Sequence, residues 1–370
     1  MASVSASASD RAADERFMLA AHRAARGGWG RTYPNPLVGA VLARGGEEIA
    51  RGWHAEFGGP HAEVVALERA GARARGSTLY VTLEPCAHTG KQPPCVDAIV
   101  AAGIARVVIG DSDPDPIARG GAAGLREAGI VVDRIAGSGP APYNFRFFHR
   151  FDGRDTPFVA VKLAVTMDGL IADANRISRW ISSPAARDWV HDLRAGFGAI
   201  AVGSATAVTD DAKLTVRGAI RPRLPPSRVV FDRGATLPPE HGIFADVATA
   251  PVYMVIGSDV PAARREPLER AGARLVPSDD LGTALRELAR RGVDSMLVEG
   301  GGRLAGALLE AGLVDRIYQI QSPRWLGQGV PAWSGLRSTS LADSHRWKVL
   351  DVVALGTDPT ETDVLIELEP

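Results

Sequence analysis

Cys86 and Cys95 are the only cysteines in a chain of 370 residues. Both stand in one proline-bounded run, Pro85-Cys86-Ala87-His88-Thr89-Gly90-Lys91-Gln92-Pro93-Pro94-Cys95. Two thiols do not make a disulfide framework in a chain of this length, and their scarcity points to a reducing compartment, the cytoplasm. Upstream, His61-Ala62-Glu63 heads an apolar-periodic segment. One imidazole and two thiolates suit zinc, with a fourth position open to water. Whatever the fold, it has to bring a helix start and a strand end to one point.

The tripeptide His-Ala-Glu occurs twice, at His54-Ala55-Glu56 and at His61-Ala62-Glu63. The first copy runs into Gly58-Gly59-Pro60, which cannot continue a helix. The second opens Val64, Val65, Leu67 and Ala70, a helix closed by Gly71. Residues two apart diverge by about 200° around a helix, so His61 and Glu63 reach one metal only at its N-terminus. That logic sets His54 aside as a ligand. Glu63 is then free to move protons, the division of labour in zinc deaminases of nucleobases, which carry an H-x-E and P-C-x-x-C signature. Here eight residues, not two, separate the cysteines. A structural site with His88 as fourth ligand is the competing reading, and it leaves Glu63 without a purpose.

The surrounding pattern predicts a helix from Asp14 closed by Gly27-Gly28. Strands follow at 38–42 and up to Trp53, then at 78–83, 106–110 and 130–135. Further helices are predicted over 96–102 and 122–128. Alternation of this kind gives an α/β sandwich of roughly 140 residues with its ligands at the strand-to-helix edge. Asn35, pinned between Pro34 and Pro36, reads on spacing alone as a turn residue. Residues 1–12 read as a frayed leader.

With 45% hydrophobic residues and a net charge of −1, the chain can build two cores and gives no reason to expect nucleic acid or an anionic membrane as partner. A Gly/Pro-rich passage, Gly139-Pro140-Ala141-Pro142, precedes an aromatic cluster, Tyr143-Asn144-Phe145-Arg146-Phe147-Phe148, which reads as a docked connector. We place a first domain at 13–145 and a second at 146–370. In the second, strands are expected at 158–165, 199–203, 228–232, 252–257 and 293–298. Helices are expected from Pro184 to Ala195 and from Leu304 to Ala311. The Gly300-Gly301-Gly302 turn suits either a phosphate cradle or a backbone needing positive φ. The absence of G-x-G-x-x-G argues against a Rossmann cofactor site.

The runs Tyr33-Pro34-Asn35-Pro36-Leu37-Val38-Gly39, His61-Ala62-Glu63 and Leu83 to Cys95 together resemble the bifunctional riboflavin-biosynthesis deaminase/reductase family. In that family the long cysteine spacing is the normal one. The resemblance implies a cytidine-deaminase-like α/β/α sandwich followed by a dihydrofolate-reductase-like α/β domain, with Zn2+ and NADPH as cofactors. It also implies hydrolytic deamination of 2,5-diamino-6-ribosylamino-4(3H)-pyrimidinone 5′-phosphate, then reduction of the ribosyl to the ribityl group. His61, Cys86 and Cys95 would bind zinc and Glu63 would catalyse. Asn35 would hold the pyrimidine, and His88 and Lys91 the ribose phosphate.

Lys162-Leu163-Ala164, Asp168-Gly169, Ser178-Arg179-Trp180-Ile181, Leu214-Thr215-Val216-Arg217 and Val298-Glu299-Gly300-Gly301 resemble the reductase half. By that resemblance Ser178, Arg194, Leu214, Arg217 and Glu299 meet the substrate. Ala164, Trp180, Thr206 and Asp210 line the cofactor, together with Gly301, Gly302, Arg303, Leu304, Ala305, Gly306 and Ala307. Arg194 and Arg217 also suit a phosphate clamp on physical grounds. The chain departs from the family at Ala212, where proline is usual, at Arg233, where serine is usual, and at 173–177, which lacks a glycine. A deaminase with an inactive reductase half, and a zinc-stabilised nucleotide binder, are the alternatives. A homo-oligomer is expected from the glycine-rich, apolar second half.

Overall fold

The structure is a computed structural model that describes residues 8–90, 92–135 and 141–370. Lys91 lies outside the described residues. Two compact units divide the chain, Met1–Gly153 and Arg154–Pro370, so the residues after Phe145 go with the first unit, beyond the 145/146 boundary drawn from sequence.

Strict alternation in the strand Gly39–Arg44 (β1) explains the layering of the first unit. Ala40 and Leu42 point into one apolar cluster and Val41 and Ala43 into another, so helices are needed on both faces. The sheet adds Glu47–Trp53 (β2), Thr78–Leu83 (β3), Arg106–Asp111 (β4) and Val131–Arg134 (β5), in the order β2-β1-β3-β4-β5. The helix Ala8–Ala25 (α1) covers one face through Phe17, Met18 and Ala21. It starts ahead of Asp14. The helices Ala62–Ala70 (α2), Cys95–Ala101 (α3) and Gly121–Glu127 (α4) cover the other. A short helix, Phe145–His149 (α5), closes the unit.

Gly52 of β2 sets how closely α2 approaches. A Cβ there would lie 2.4 Å from the Ala62 carbonyl and 2.6 Å from the Ala66 nitrogen, backbone atoms that cannot yield. Only glycine lets the first turn of α2, which carries His61 and Glu63, rest on the strand.

The second unit is built on a nine-stranded sheet. Its strands are Phe158–Val165 (β6), Leu170–Asp173 (β7, outside this sheet), Ala199–Gly203 (β8), Ser227–Phe231 (β9), Val252–Ile256 (β10), Ala273–Pro277 (β11), Ser295–Glu299 (β12), Arg316–Gln321 (β13), Gly329–Pro331 (β14, paired with β7), Lys348–Leu355 (β15) and Asp363–Glu369 (β16). The order β11-β10-β9-β8-β12-β6-β13-β16-β15 is parallel from β11 to β13 and antiparallel through the last two pairings. The helices are Pro184–Arg194 (α6), Ser204–Asp210 (α7), Ala262–Arg270 (α8), Leu281–Arg290 (α9) and Gly302–Glu310 (α10). Parallel strands buried on both faces read as apolar runs, which is why β6, β8 and β12 are legible in the sequence. Ligands of such sheets gather at the carboxyl ends of the strands, and the turn after β12 is where Glu299 and the triple glycine stand. Among the described residues no helix is long and apolar enough to cross a membrane.

Candidate active sites

In the first unit His61 is the N-cap of α2, in extended conformation, and Cys95 is the first residue of α3. His61 Nδ1 lies 3.2 Å from Cys95 Sγ and 3.5 Å from Cys86 Sγ. All three ligand atoms fall within 4.8 Å of one another. A tetrahedral ion with Zn–N of about 2.0–2.1 Å and Zn–S of about 2.3 Å needs neighbouring ligands at such spacings, so the donor set fits zinc with one position left over. The Cys95 thiol, His61 and the Cys95 amide together hold the Cys86 thiol well below its usual range. Hydrogen bonding to Cys86 raises the His61 pKa.

Glu63, on the first turn of α2, is 3% exposed, and burial pushes its carboxyl above the usual range against the pull of His61. A carboxyl raised in this way holds a proton more readily than a free one, which suits a group that accepts and returns protons. It shares a cavity of about 320 Å³ with Asn35, His54, His61, Cys86, His88, Asp113 and Phe147. His88 has a buried Nδ1 with no hydrogen-bond partner among the described residues. Asp113 accepts from the Asp115 amide, and burial raises its pKa to about 6.

His54 contributes no atom to the ligand cluster, in keeping with the helix argument, yet it belongs to the site. Its Nδ1 lies 2.9 Å from the Pro60 carbonyl, which can only accept, so Nδ1 carries the proton. Nε2 then accepts from Asn35 Nδ2 at 3.1 Å. The Asn35 amide is thereby oriented, with Oδ1 unpartnered among the described residues. The repeated His-Ala-Glu was the signal that could have found this role.

In the second unit Glu299, at the end of β12, meets Arg194 at the end of α6 in a two-point ion pair. Arg194 also donates to the Thr215 carbonyl at 2.8 Å, so much of the guanidinium expected to clamp a phosphate is committed within the protein. Lys162 stands opposite Glu299 in the parallel pairing of β6 with β12. Burial lowers its pKa, opposed by Glu299. In the sequence Lys162 stands only within the motif Lys162-Leu163-Ala164, with no role of its own. A lysine inside an otherwise apolar strand was the available signal. His191 feels the charge of both Arg194 and Arg217, which brings Arg217 into the same neighbourhood.

Ser178 Oγ lies 3.5 Å from Asp210 Oδ1, and Arg179 donates to the Asp210 carbonyl. Thr206 abuts Gly300 and Gly301, both at positive φ, so the backbone reading of that turn holds. Gly302 and Gly306 pack on the carbonyls of Pro331 and Ser334, Ala305 is fully buried in the core, and Arg303 and Ala307 are exposed. Trp180 is 62% exposed, with Arg187 over its ring. Ala164, on β6, is half-buried, and Leu214 is buried at a positive φ.

The three departures have local explanations. Arg176 adopts φ +64° where a glycine would be easier, and Asp173 Oδ1 steadies that turn by accepting from the Asn175 and Ile177 amides. Ala212 donates its N–H to the Ala207 carbonyl at the end of α7, a bond proline could not make. Arg233 is exposed, and the preceding Asp232 is buried, accepting from Thr236 and Leu237.

Residues 157–360 match the RibD C-terminal domain, and residues 11–111 match the cytidine and deoxycytidylate deaminase zinc-binding region. The first match alone spans more than half the chain. The chain belongs to the RibD family. It is 38% identical to the riboflavin biosynthesis protein RibD of Escherichia coli over 93% of this chain and 97% of that protein. It is 35% identical to RibD of Aquifex aeolicus, at 93% and 96% coverage. Among solved structures, Acinetobacter baumannii RibD superposes with a TM-score of 0.77 at 33% identity, covering 97% of this chain and 99% of that one. A Thermotoga maritima diaminohydroxyphosphoribosylaminopyrimidine deaminase/5-amino-6-(5-phosphoribosylamino)uracil reductase does so with the same TM-score and coverage at 35% identity. The RibD-family chain is therefore a bifunctional deaminase and reductase of riboflavin biosynthesis, with zinc in its first unit and NADPH as the reductant of its second.

Proposed function

We propose that the first unit hydrolyses the C2 amine of 2,5-diamino-6-ribosylamino-4(3H)-pyrimidinone 5′-phosphate and that the second reduces the ribosyl group of the product to ribityl. The observation that carries the first step is the buried Glu63 carboxyl on the same helix turn as the His61 ligand. Zinc, when held by His61, Cys86 and Cys95, lowers the pKa of water to roughly 7. Glu63 takes one proton from the attacking water and passes it to the ring nitrogen, then takes the second from the new C2 hydroxyl and passes it to the amine, which departs as ammonia. Asn35 Oδ1 accepts from the pyrimidine, and His88 with Lys91 receives the ribose phosphate.

For the second step, NADPH supplies a hydride to the sugar C1′. Glu299, held ionised by Arg194 despite its burial, accepts from a substrate hydroxyl. Lys162, Ser178, Leu214 and Arg217 complete the substrate side. Ala164, Trp180, Thr206, Asp210, Gly301, Arg303 and Leu304 face the cofactor, with Gly302, Ala305, Gly306 and Ala307 shaping the helix behind it. Exposed Val349, Val352 and Val353 on the edge strand β15 support a homo-oligomer, which light scattering would measure. The scarcity of cysteine, with both residues assigned to zinc, supports a cytoplasmic setting.

One coupled assay tests the assignment, with ammonia release and NADPH oxidation followed together. Glu63→Gln should keep its zinc, release no ammonia, and still oxidise NADPH when given the deaminated intermediate. Persistent deamination in that variant would sink the first half of the reading. Failure of the native chain to oxidise NADPH would sink the second.

A further inference from the structure

The connector after the first sheet carries more than a tether needs. Asn144 is 4% exposed, and its amide grips the backbone of Leu37 at both ends. Asn144 Oδ1 accepts from the Leu37 amide at 2.7 Å, and Nδ2 donates to the Leu37 carbonyl at 2.9 Å. Two more contacts fall on the same loop. Arg150 donates to the Pro34 carbonyl at 2.9 Å, and the Arg146 guanidinium lies 3.4 Å from the centre of the Tyr33 ring. Residues 33–37 are thus held from the connector at three successive points, and Asn35 lies in the middle of them. On the next turn of chain Phe147, 7% exposed, forms part of the wall of the cavity that holds Asn35, His61 and Glu63.

We infer that residues 141–151 are a working part of the deaminase's pyrimidine site. Asn144 and Arg150 are positioning residues that act through the 33–37 loop on Asn35, and Phe147 is an apolar wall against the pyrimidine ring. The inference rests on the reading of Asn35 as the residue that holds the pyrimidine. Its physical basis is entropy. An asparagine on a proline-flanked loop keeps one orientation only if the backbone on either side is fixed. His54 fixes the side chain of Asn35, while Asn144 at Leu37 and Arg150 at Pro34 fix the backbone on either side of it. A deaminase cut before Phe145 would keep every zinc ligand and Glu63, but would lose the cavity wall and the outer hold on the loop.

The experiment uses the full-length chain with Asn144→Ala, Phe147→Leu, Arg150→Ala and, in parallel, Asn35→Ala. For each, kcat and KM of ammonia release are measured with the diaminopyrimidinone ribosyl phosphate, beside zinc content and the NADPH-dependent turnover of the deaminated intermediate as an internal control. Two buried hydrogen bonds correspond to a KM increase of about tenfold in Asn144→Ala, with kcat less affected. Arg150 is exposed, so its variant folds regardless, and its KM should rise about threefold. Zinc content and reductase turnover should stay at native values throughout. If Asn35→Ala raises KM while the Asn144, Phe147 and Arg150 variants do not, the connector's role is overturned and the reading of Asn35 stands. If Asn35→Ala leaves KM unchanged, the reading of Asn35 fails, and with it the route through that residue. Equal losses of zinc, kcat and KM in Arg150→Ala and Phe147→Leu would mark a purely structural role and also overturn the proposal.

Discussion

Arg194 and Glu299 meet in a two-point ion pair, Nε to Oε1 at 2.5 Å and Nη2 to Oε2 at 2.9 Å, with both side chains largely out of solvent. Burial alone would raise the pKa of the Glu299 carboxyl. Arg194 first, then Lys162 and His191, turn the balance, and the pKa falls below its usual value. The pair sits where β12 ends and the triple-glycine turn begins, so it ties the shape of that turn to the charge beside it.

Glu299→Gln leaves a buried guanidinium without its counter-charge, which costs about 3–5 kcal/mol. The expected outcome is lower thermal stability of the second unit and loss of NADPH oxidation, with ammonia release preserved. Calorimetry beside the coupled assay checks it. Equal losses of both activities would contradict the separation.

Chelation tests the first unit. Dialysis against a strong zinc chelator should abolish ammonia release and leave NADPH oxidation of the deaminated intermediate intact, because His61, Cys86 and Cys95 all belong to the first unit. Acid should release the ion too, since bound thiolates and imidazole must give way to protons. Added zinc should restore activity.

Asp111 gives a pH dependence of defined sign. Burial raises its carboxyl to about 6, only partly offset by the Ala141 amide and Arg134. The fold therefore binds this proton more tightly than the unfolded chain does. Its favourable contribution is full below the ordinary carboxylate pKa and is lost as pH rises to about 6, by about 2–3 kcal/mol. Asp111→Asn can still accept from Ala141, so the variant should gain on the native chain as pH climbs through that window. Denaturant melts at two pH values on either side measure the gain; a constant difference would refute it.

Gly52→Ala should act on chemistry from behind. The added methyl meets the backbone of α2, so the first turn has to move, at a cost of about 1–3 kcal/mol. Weaker zinc retention is expected, measured by competition with a metal indicator, with a deaminase defect that excess zinc partly relieves.

The local grammar of the chain was readable with few errors. β6 and β8 fall on their expected spans, and α2 begins beside His61 as the glycine-proline break before it requires. The helices α7, α8 and α9 and the strand β11 were not placed, and the rest of what escaped was non-local. Beyond Ala311 the sequence pattern marks no elements, yet β13, β15 and β16 form one side of the sheet. Their registers, such as Ile317 opposite Leu368, depend on partners far along the chain, and β15 is too exposed to show a burial period. The Gly300-Gly301-Gly302 turn stays ambiguous in sequence because a glycine required by packing, as Gly302 is against the Pro331 carbonyl, reads the same as one required by a ligand.

The division follows from range. The sequence by itself marked out the candidate zinc donors, the carboxyl proposed to carry protons and the helix start that joins them, because caps, proline breaks and strand periods are settled within a few neighbouring residues. Only the tertiary structure decided that His54 orients Asn35, that Asn144 grips Leu37 and that Lys162 stands opposite Glu299. The Asn144–Leu37 and Lys162–Glu299 contacts close over a hundred residues of chain, and the one at His54 depends on how its loop is laid against Asn35. No local preference encodes such contacts; they exist because packed sheets leave those side chains nowhere else to go.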